Sequence, residues 1–476
     1  MVAVDIIFAP IFLSVLVYFL TKGAEHITKY IALGWFLVLF FISFSWLHQL
    51  PDHGFLQLGT YLKVPMFNFD LTLQVDALSV AMLLLTSLLL ILVVFTSWNE
   101  KHQASYFSLL ILFSGPIFGV FMTTNVLWFF MFWELTLVPM LFLVGIWGAE
   151  RRIYAAIKFF LYTHVFAMFM FVGFFLLYKQ TGYWDITQIK EAALATPALI
   201  WWLMFAGFAA KLPIFPFHTW LPDAHVQAPS SISVLLAGVL LKMGAYGLIR
   251  FTVELLPNTT KEFALWMVAF GLLTTFFAGM LAIYEKHIKK MVAYSSISHM
   301  GLVVVAIATM TYDGLSAALY EMIGHALVIS PLFLIAGWLH HKTHTWYMNE
   351  MGGVMKYAPY ASAIFILAGM AALGLPGTMG FVGELTIIIS AVKSFGWWIA
   401  VIALGGFISA GYIIWAVRRA IHGPASEKVL HSTFEMSAAE KFALAIFTGM
   451  IIYFGIVPQP IFDVANKAFS SFFGGM

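Results

Sequence analysis

Residues 211–225, KLPIFPFHTWLPDAH, interrupt an apolar stretch that runs from 198 to 226, and the reading of the whole chain turns on that interruption. Pro213, Pro216 and Pro222 each lack a backbone N–H, so a helix passing through them leaves carbonyls without intrahelical donors. At membrane depth such a break is tolerated only against protein or water. Lys211 stands at its start, and a lysine in hydrocarbon costs roughly 2.5–3.5 kcal/mol on insertion scales, so it is expected to face the bundle interior and to have a partner. A broken helix carrying a buried cation marks a functional site.

The surrounding chain supplies the membrane context. Of 476 residues, 62% are hydrophobic and 10% charged, and the mean hydropathy is +0.94, which an ordinary water-facing surface cannot accommodate. A helix needs about 20 mainly apolar residues to cross the hydrocarbon. Fourteen such stretches are drawn: 5–21, 30–48, 76–98, 105–122, 125–148, 157–178, the broken 198–222, 230–252, 263–284, 291–311, 314–338, a second broken segment at 360–392, 396–417 and 441–458. The fold class is therefore an all-α polytopic membrane protein with no room for a separate soluble domain. A net charge of +2 argues against a nucleic-acid partner. With no cysteine there are no disulfides, thiolate metal sites or cysteine-ligated iron–sulfur clusters, so electrons are expected to bypass this chain. Segment 5–21 has no basic flank before it and no clear cleavage site after it, and is read as a retained span. Alternating the loops between sides puts 15 of the 24 basic residues on one side and 7 on the other, with Lys211 and Lys242 inside the membrane. By the positive-inside rule the richer side is cytoplasmic and both termini lie outside.

Segment 360–392 repeats the peculiarity of 198–222. Its LGLPGTMGFVGE (373–384) breaks the helix at Gly374, Pro376, Gly377 and Gly380, and Glu384 adds an intramembrane charge. Pro213 to Pro376 is 163 residues, and Glu134 to His299 is 165. Matching offsets suggest two related halves, and paired interrupted helices point to a transport site near the bilayer midplane.

Other ionisable residues punctuate the apolar spans. Glu134 lies mid-span in NVLWFFMFWELTLVPM (125–140). It reads as a functional acid, against a structural acid held for packing, and its natural partner is Lys211, since each stabilises the other's charge. Lys242, in SVLLAGVLLKMGAYGLIRF, has Gly238, Gly244 and Gly247 nearby for close helix approach; snorkelling to an interface is the alternative. His299 in AYSSISHMG and His325 in YEMIGHALVIS are each ordinary core histidines if taken alone, but neutral imidazoles can take and give protons near neutral pH. Several apolar spans carrying one titratable group apiece read as a relay. Glu321, four residues before His325, either tunes that histidine or marks the outer end of its span. His218 and His225 flank the break; they line an entrance or are merely solvated. His340, His341 and His344 superficially suggest a metal site, but no carboxylate or cysteine triad is near in sequence, and interfacial solvation is the better reading. No phosphate-binding loop, dinucleotide fingerprint, nucleophile elbow or HExxH is present, so direct chemistry on a substrate is not expected.

Together, FFMFWELTLVPMLFLVGIWG (129–148), AAKLPIFPFHTWLPDAHVQAPSSISVLLAGVLLKMGAYGLIRF (209–251), KKMVAYSSISHMG (289–301) and LPGTMGFVGE (375–384) resemble the antiporter-like membrane subunits of respiratory complex I, NADH-quinone oxidoreductase, and within them the M type, the counterpart of mitochondrial subunit four. The similarity runs from about residue 70 to 420. It implies about 14 transmembrane helices with discontinuous helices 7 and 12 and two inverted five-helix repeats. The domains expected are 1–104, the repeats 105–252 and 263–417, and a C-terminal helix and tail at 418–476. The resemblance also implies proton transfer by Glu134, Lys211, Lys242, His299, His325 and Glu384, with His218, His225 and Glu321 secondary. Most sister subunits have lysine where this chain has Glu384, which is what points to the M type. No cofactor is expected in this chain; flavin, iron–sulfur clusters and quinone belong to partner subunits. Expected partners are other membrane subunits, including sister antiporter-like subunits on either side, and lipid. The alternative is a subunit of an Mrp-type cation/proton antiporter, of a membrane-bound hydrogenase or of an F420H2 dehydrogenase.

Overall fold

The computed structural model of the protein describes residues 2–52, 54–64, 69–190 and 192–473. In chain order its main helices are α1 (Ala3–Thr21), α2 (Glu25–Gln49), α3 (Ala77–Thr96), α4 (Gln103–Met122), α5 (Val126–Trp147), α6 (Arg152–Thr181), the half-helices α7a (Pro197–Lys211) and α7b (Trp220–Gln227), and α8 (Ser230–Val253). Then follow α9 (Ala264–Tyr284), α10 (Ile288–Ala308), α11 (Tyr312–Thr343), the half-helices α12a (Pro359–Ala372) and α12b (Met379–Phe395), α13 (Trp397–Ile421), α14 (Ala438–Ile456) and α15 (Gln459–Phe473). Among the described residues, twelve of these are long and apolar enough to cross a membrane, and the two broken pairs complete the expected set. The protein is a multi-pass membrane protein. Side chains such as Phe12, Leu20, Phe407 and Trp397, 75%, 73%, 75% and 84% exposed, present the oily outer surface that only lipid or a partner can cover.

Two departures from the sequence reading stand out. The link between α2 and α3 holds an antiparallel hairpin, β1 (Leu56–Val64) and β2 (Phe69–Val75), where the expectation was all-α with short links. Its alternating Leu56, Leu58, Leu62 and Leu71, Leu73, Val75 carry the period of two that a strand needs. The broken span also extends past residue 222, because α7b continues to Gln227 and ends where Pro229 prevents further helix.

The chain forms two compact units. The first comprises residues 1–211, 243–263 and 464–476. Within it α6 and α7a approach closely because Gly173 lies against Met204 and the Ile200 carbonyl, and Gly207 against Met170. An ion triad ties this unit together: Arg250, 1% exposed, donates to Asp76 at 2.7 Å and to Glu254 at 2.6 Å. Asp76 also caps α3 by accepting from the Ser79 N–H at 2.9 Å. Arg250→Met strips the buried Asp76 of its cation, while Glu254 keeps Lys190 at 2.5 Å, and is expected to destabilise the protein by about 3–5 kcal/mol, read as a lowered melting temperature and loss of assembled protein.

The second unit comprises residues 212–242 and 264–463. Its α9 and α10 touch at Gly271 and Gly301 and exchange hydrogen bonds, Thr275 Oγ1 to the Ser298 carbonyl at 3.1 Å and Ser298 Oγ to the Thr275 carbonyl at 2.8 Å. Interhelical bonds of this kind are worth about 0.6 kcal/mol each in membranes, so they fix register more than they add stability. The register matters because His299 is the next residue.

Candidate functional site

In the first unit the site begins with α5. Asn125 Oδ1 accepts from the N–H groups of Leu127 and Trp128 at 3.0 and 3.2 Å and starts the helix. Pro139 lacks the N–H that would bond the Leu135 carbonyl, and the helix is interrupted at Thr136, two residues after Glu134. The expected Glu134–Lys211 contact is not made. Glu134 Oε2 instead meets Nδ1 of His164 on α6 at 2.5 Å. Lys211 Nζ, on a residue 1% exposed, has no hydrogen-bond partner among the described residues and lies 5.5 Å from the ring centroids of both Trp133 and Phe159. Glu134 is the residue next to Trp133, whose ring Lys211 faces. The sequence reading missed His164, though the signal was available: it is a titratable residue inside an otherwise apolar span, the criterion that selected the others.

The second unit gathers a continuous row. The π-helical turn Leu236–Leu240 widens α8 before Lys242, and Lys242 Nζ turns back to donate to the Ala237 carbonyl at 2.7 Å. The same ammonium lies 2.7 Å from Nδ1 of His325 on α11, so Lys242, 0% exposed, does not snorkel. The His325 and His299 rings are 5.7 Å apart between centroids. His299 Nδ1 then lies 3.3 Å from Glu321 Oε1 and 3.7 Å from Glu384 Oε1. Glu321 is 2% exposed and turns to His299 on the neighbouring helix, so neither sequence reading of it, tuning His325 or marking the span's outer end, describes its contact. Glycines make room for both acids. A Cβ on Gly383 would collide with Glu321 Oε2, and Gly374, at φ +76°, would bring one to 2.7 Å from Glu384 Oε2.

The remaining histidines divide. His218 is 6% exposed between the rings of Phe215 and Phe277, at 5.6 and 5.5 Å, and is not a solvated loop residue. His225 is fully buried, stacked on Phe333 at 4.6 Å, and neither ring nitrogen has a hydrogen-bond partner among the described residues. His340 stacks on Trp346 at 3.8 Å. Among the described residues no group of three or more His, Cys, Asp or Glu is arranged to hold a metal ion. Lys289 is the second residue of α10, at the end of a span. It is 1% exposed, donates to the Ala228 carbonyl and lies 5.3 Å from the Trp346 ring.

Chemically, the second row is a set of proton donors and acceptors near or slightly beyond transfer distance, from a buried ammonium through two imidazoles to two carboxyls. It contains no nucleophile–base pair aimed at a substrate.

The chain is similar to known proteins over most of its length. The profile of the family described as NADH:quinone oxidoreductase/Mrp antiporter, TM, matches residues 123–409. The chain is 36% identical over 420 residues to NADH-quinone oxidoreductase subunit M of Rickettsia bellii, covering 87% of this chain and 85% of that protein. It is 32% identical to F(420)H(2) dehydrogenase subunit M of Methanosarcina mazei, covering 100% of this chain and 99% of that one. Its fold is similar to a chain of respiratory complex I from Thermus thermophilus with bound NADH, with a TM-score of 0.88 at 24% identity and coverage of 99% and 100%.

Proposed function

Since the chain belongs to the NADH:quinone oxidoreductase/Mrp antiporter transmembrane family, we propose that it is the proton-translocating M-type membrane subunit of a complex I type NADH-quinone oxidoreductase. It moves protons through buried Glu, Lys and His side chains while quinone is reduced elsewhere in the complex. The observation that carries this reading is the row Lys242, His325, His299, Glu384, with Glu321 beside it, each side chain buried or nearly so.

The row works by short hops. Lys242 passes its proton to His325 Nδ1 across a contact already at 2.7 Å. The step between the imidazoles needs ring rotation or one bridging water, as do the 3.3 and 3.7 Å approaches to the carboxyls. A buried charge is costly unless paired, so each proton that arrives raises the cost of keeping the next one, and protons move singly. In the first unit, Glu134 controls whether the unbonded Lys211 keeps its proton.

Helices α4–α8 and α9–α13 are the two inverted repeats in this reading, residues 105–252 and 263–417. The subunit lies in the cytoplasmic membrane with both termini on the outer side, between sister antiporter-like subunits. Flavin, iron–sulfur clusters and quinone are held by other subunits. The family description also names Mrp antiporters, so an antiporter subunit is the second reading. It predicts sodium-dependent proton exchange without any electron donor.

The test uses His299→Gln in the assembled complex reconstituted in liposomes. Electron transfer to quinone and acidification of the lumen are measured together. Assembly is expected to persist while proton transport falls by about tenfold or more, since glutamine hydrogen-bonds but does not relay. Undiminished proton transport in assembled His299→Gln complex would refute the relay.

A further inference from the structure

The triad of Glu134, His164 and Lys211 in the first unit holds a feature that the proposed relay does not use. Glu134 has two candidate cations, and the one it touches is not the buried lysine. His164 Nδ1 is 2.5 Å from Glu134 Oε2, whereas Glu134 Oε1 and Lys211 Nζ both lack a hydrogen-bond partner among the described residues. The two partners differ in burial within the unit: the His164 side chain is 40% exposed, the Glu134 side chain 18%, and Lys211 is enclosed behind the Trp133 and Phe159 rings at 1%. One end of the triad therefore reaches the surface of the unit and the other does not.

We propose that His164 is a positioning residue that competes with Lys211 for Glu134, so that protonation of an imidazole at the unit's surface controls a buried ammonium. This rests on the reading of the chain as a proton translocator. When His164 takes up a proton it becomes imidazolium and binds the Glu134 carboxylate as an ion pair. The carboxylate is then neutralised by that partner, and Lys211, desolvated and without a hydrogen bond, gives up its proton readily. When His164 is neutral, the Glu134 charge acts on Lys211 undiminished and holds its proton in place. No atom is transferred beyond the proton that enters the imidazole and later leaves it.

The local chemistry isolates the effect. Of the helices packed on α6 around this point, Glu134 is the sole titratable residue on α5 and Lys211 the sole one on α7a. On α6 itself the nearest other charge is Lys158, six residues earlier, and the Phe160 ring stacks on His164 at 5.8 Å. Because the competing charge on His164 comes and goes with a proton, the competition is readable as a pH profile.

The experiment compares wild-type, H164Q and H164K complexes in liposomes, with complex content measured by native gel. Proton transport per electron is recorded from about pH 6 to pH 8, each curve scaled to its own maximum. H164Q keeps a hydrogen bond to Glu134 but cannot titrate, so its curve is expected to lose a several-fold variation that the wild type shows in this interval. H164K carries a fixed cation that holds Glu134 permanently, and is expected to lower transport at least fivefold across the whole interval. Coincident wild-type and H164Q curves would overturn the proposal, as would H164K transporting at the wild-type level. Glu134→Gln in the same preparation separates the two levels of inference. If it abolishes transport while H164Q leaves the pH profile alone, only the role of His164 falls. If Glu134→Gln also transports normally, the translocation reading of this unit falls with it.

Discussion

Lys242→Gln is expected to give an assembled complex that oxidises its donor slowly and transports protons at least tenfold less than wild type. The amide can still donate to the Ala237 carbonyl and to His325 Nδ1, the two bonds Lys242 makes at 2.7 Å each, so neither group is stranded. An unpaired buried polar group would cost about 1–3 kcal/mol, and sparing that cost keeps the variant folded. What the amide cannot do is release a proton and recover it. General acid–base steps of this kind contribute about 10²–10⁴-fold, so a deficit of at least tenfold is a modest expectation. The measurement is lumen acidification with simultaneous quinone reduction, alongside thermal melting of the purified complex. A melting temperature near that of wild type together with lost transport assigns the defect to the relay. Normal transport would remove Lys242 from it.

Lys211→Ala has the second largest expected effect, and the structure makes its interpretation cleaner than the sequence did. If Glu134 had Lys211 as its partner, deleting the lysine would leave a buried anion unpaired, and misfolding at about 3–5 kcal/mol would mask any loss of function. Glu134 is bonded to His164 instead, so the acid keeps a partner when the lysine is gone. Assembly is therefore expected to survive, with proton transport and coupled turnover both falling about tenfold or more. Assembled Lys211→Ala complex that transports protons fully would exclude Lys211 from the transfer chain. The double variant with H164Q tests the coupling: once the lysine is absent, the histidine has nothing to compete with, and the pH profile is expected to be flat in both backgrounds.

The membrane class, the positions of the spans and both helix breaks were written in the residues themselves. They follow from local rules: apolar length sets a crossing, and a proline without an N–H or a glycine at positive φ ends a helix wherever it stands. Glu134, Lys211, Lys242, His299, His325 and Glu384 stand out as candidates for the same reason, because an ionisable side chain inside an apolar span is conspicuous without coordinates. The strand pair Leu56–Val64 and Phe69–Val75 is not legible from apolar length, because its alternation of period two contributes little to that measure.

Partnership was decided by the tertiary structure alone. Glu134 and His164 are 30 residues apart, Lys242 and His325 are 83, and nothing within one helix states which way a side chain turns toward another. Glu321 shares a face with His325 yet lies 3.3 Å from His299, because the close approach permitted by glycines between helices determines which groups meet. Burial of His225 and Lys289 was equally hidden, since a residue beside a proline break or at a span end is enclosed or solvated according to what packs over it. A single sequence specifies the cost of placing a charge in hydrocarbon; only the packed helices specify which neighbour offsets that cost.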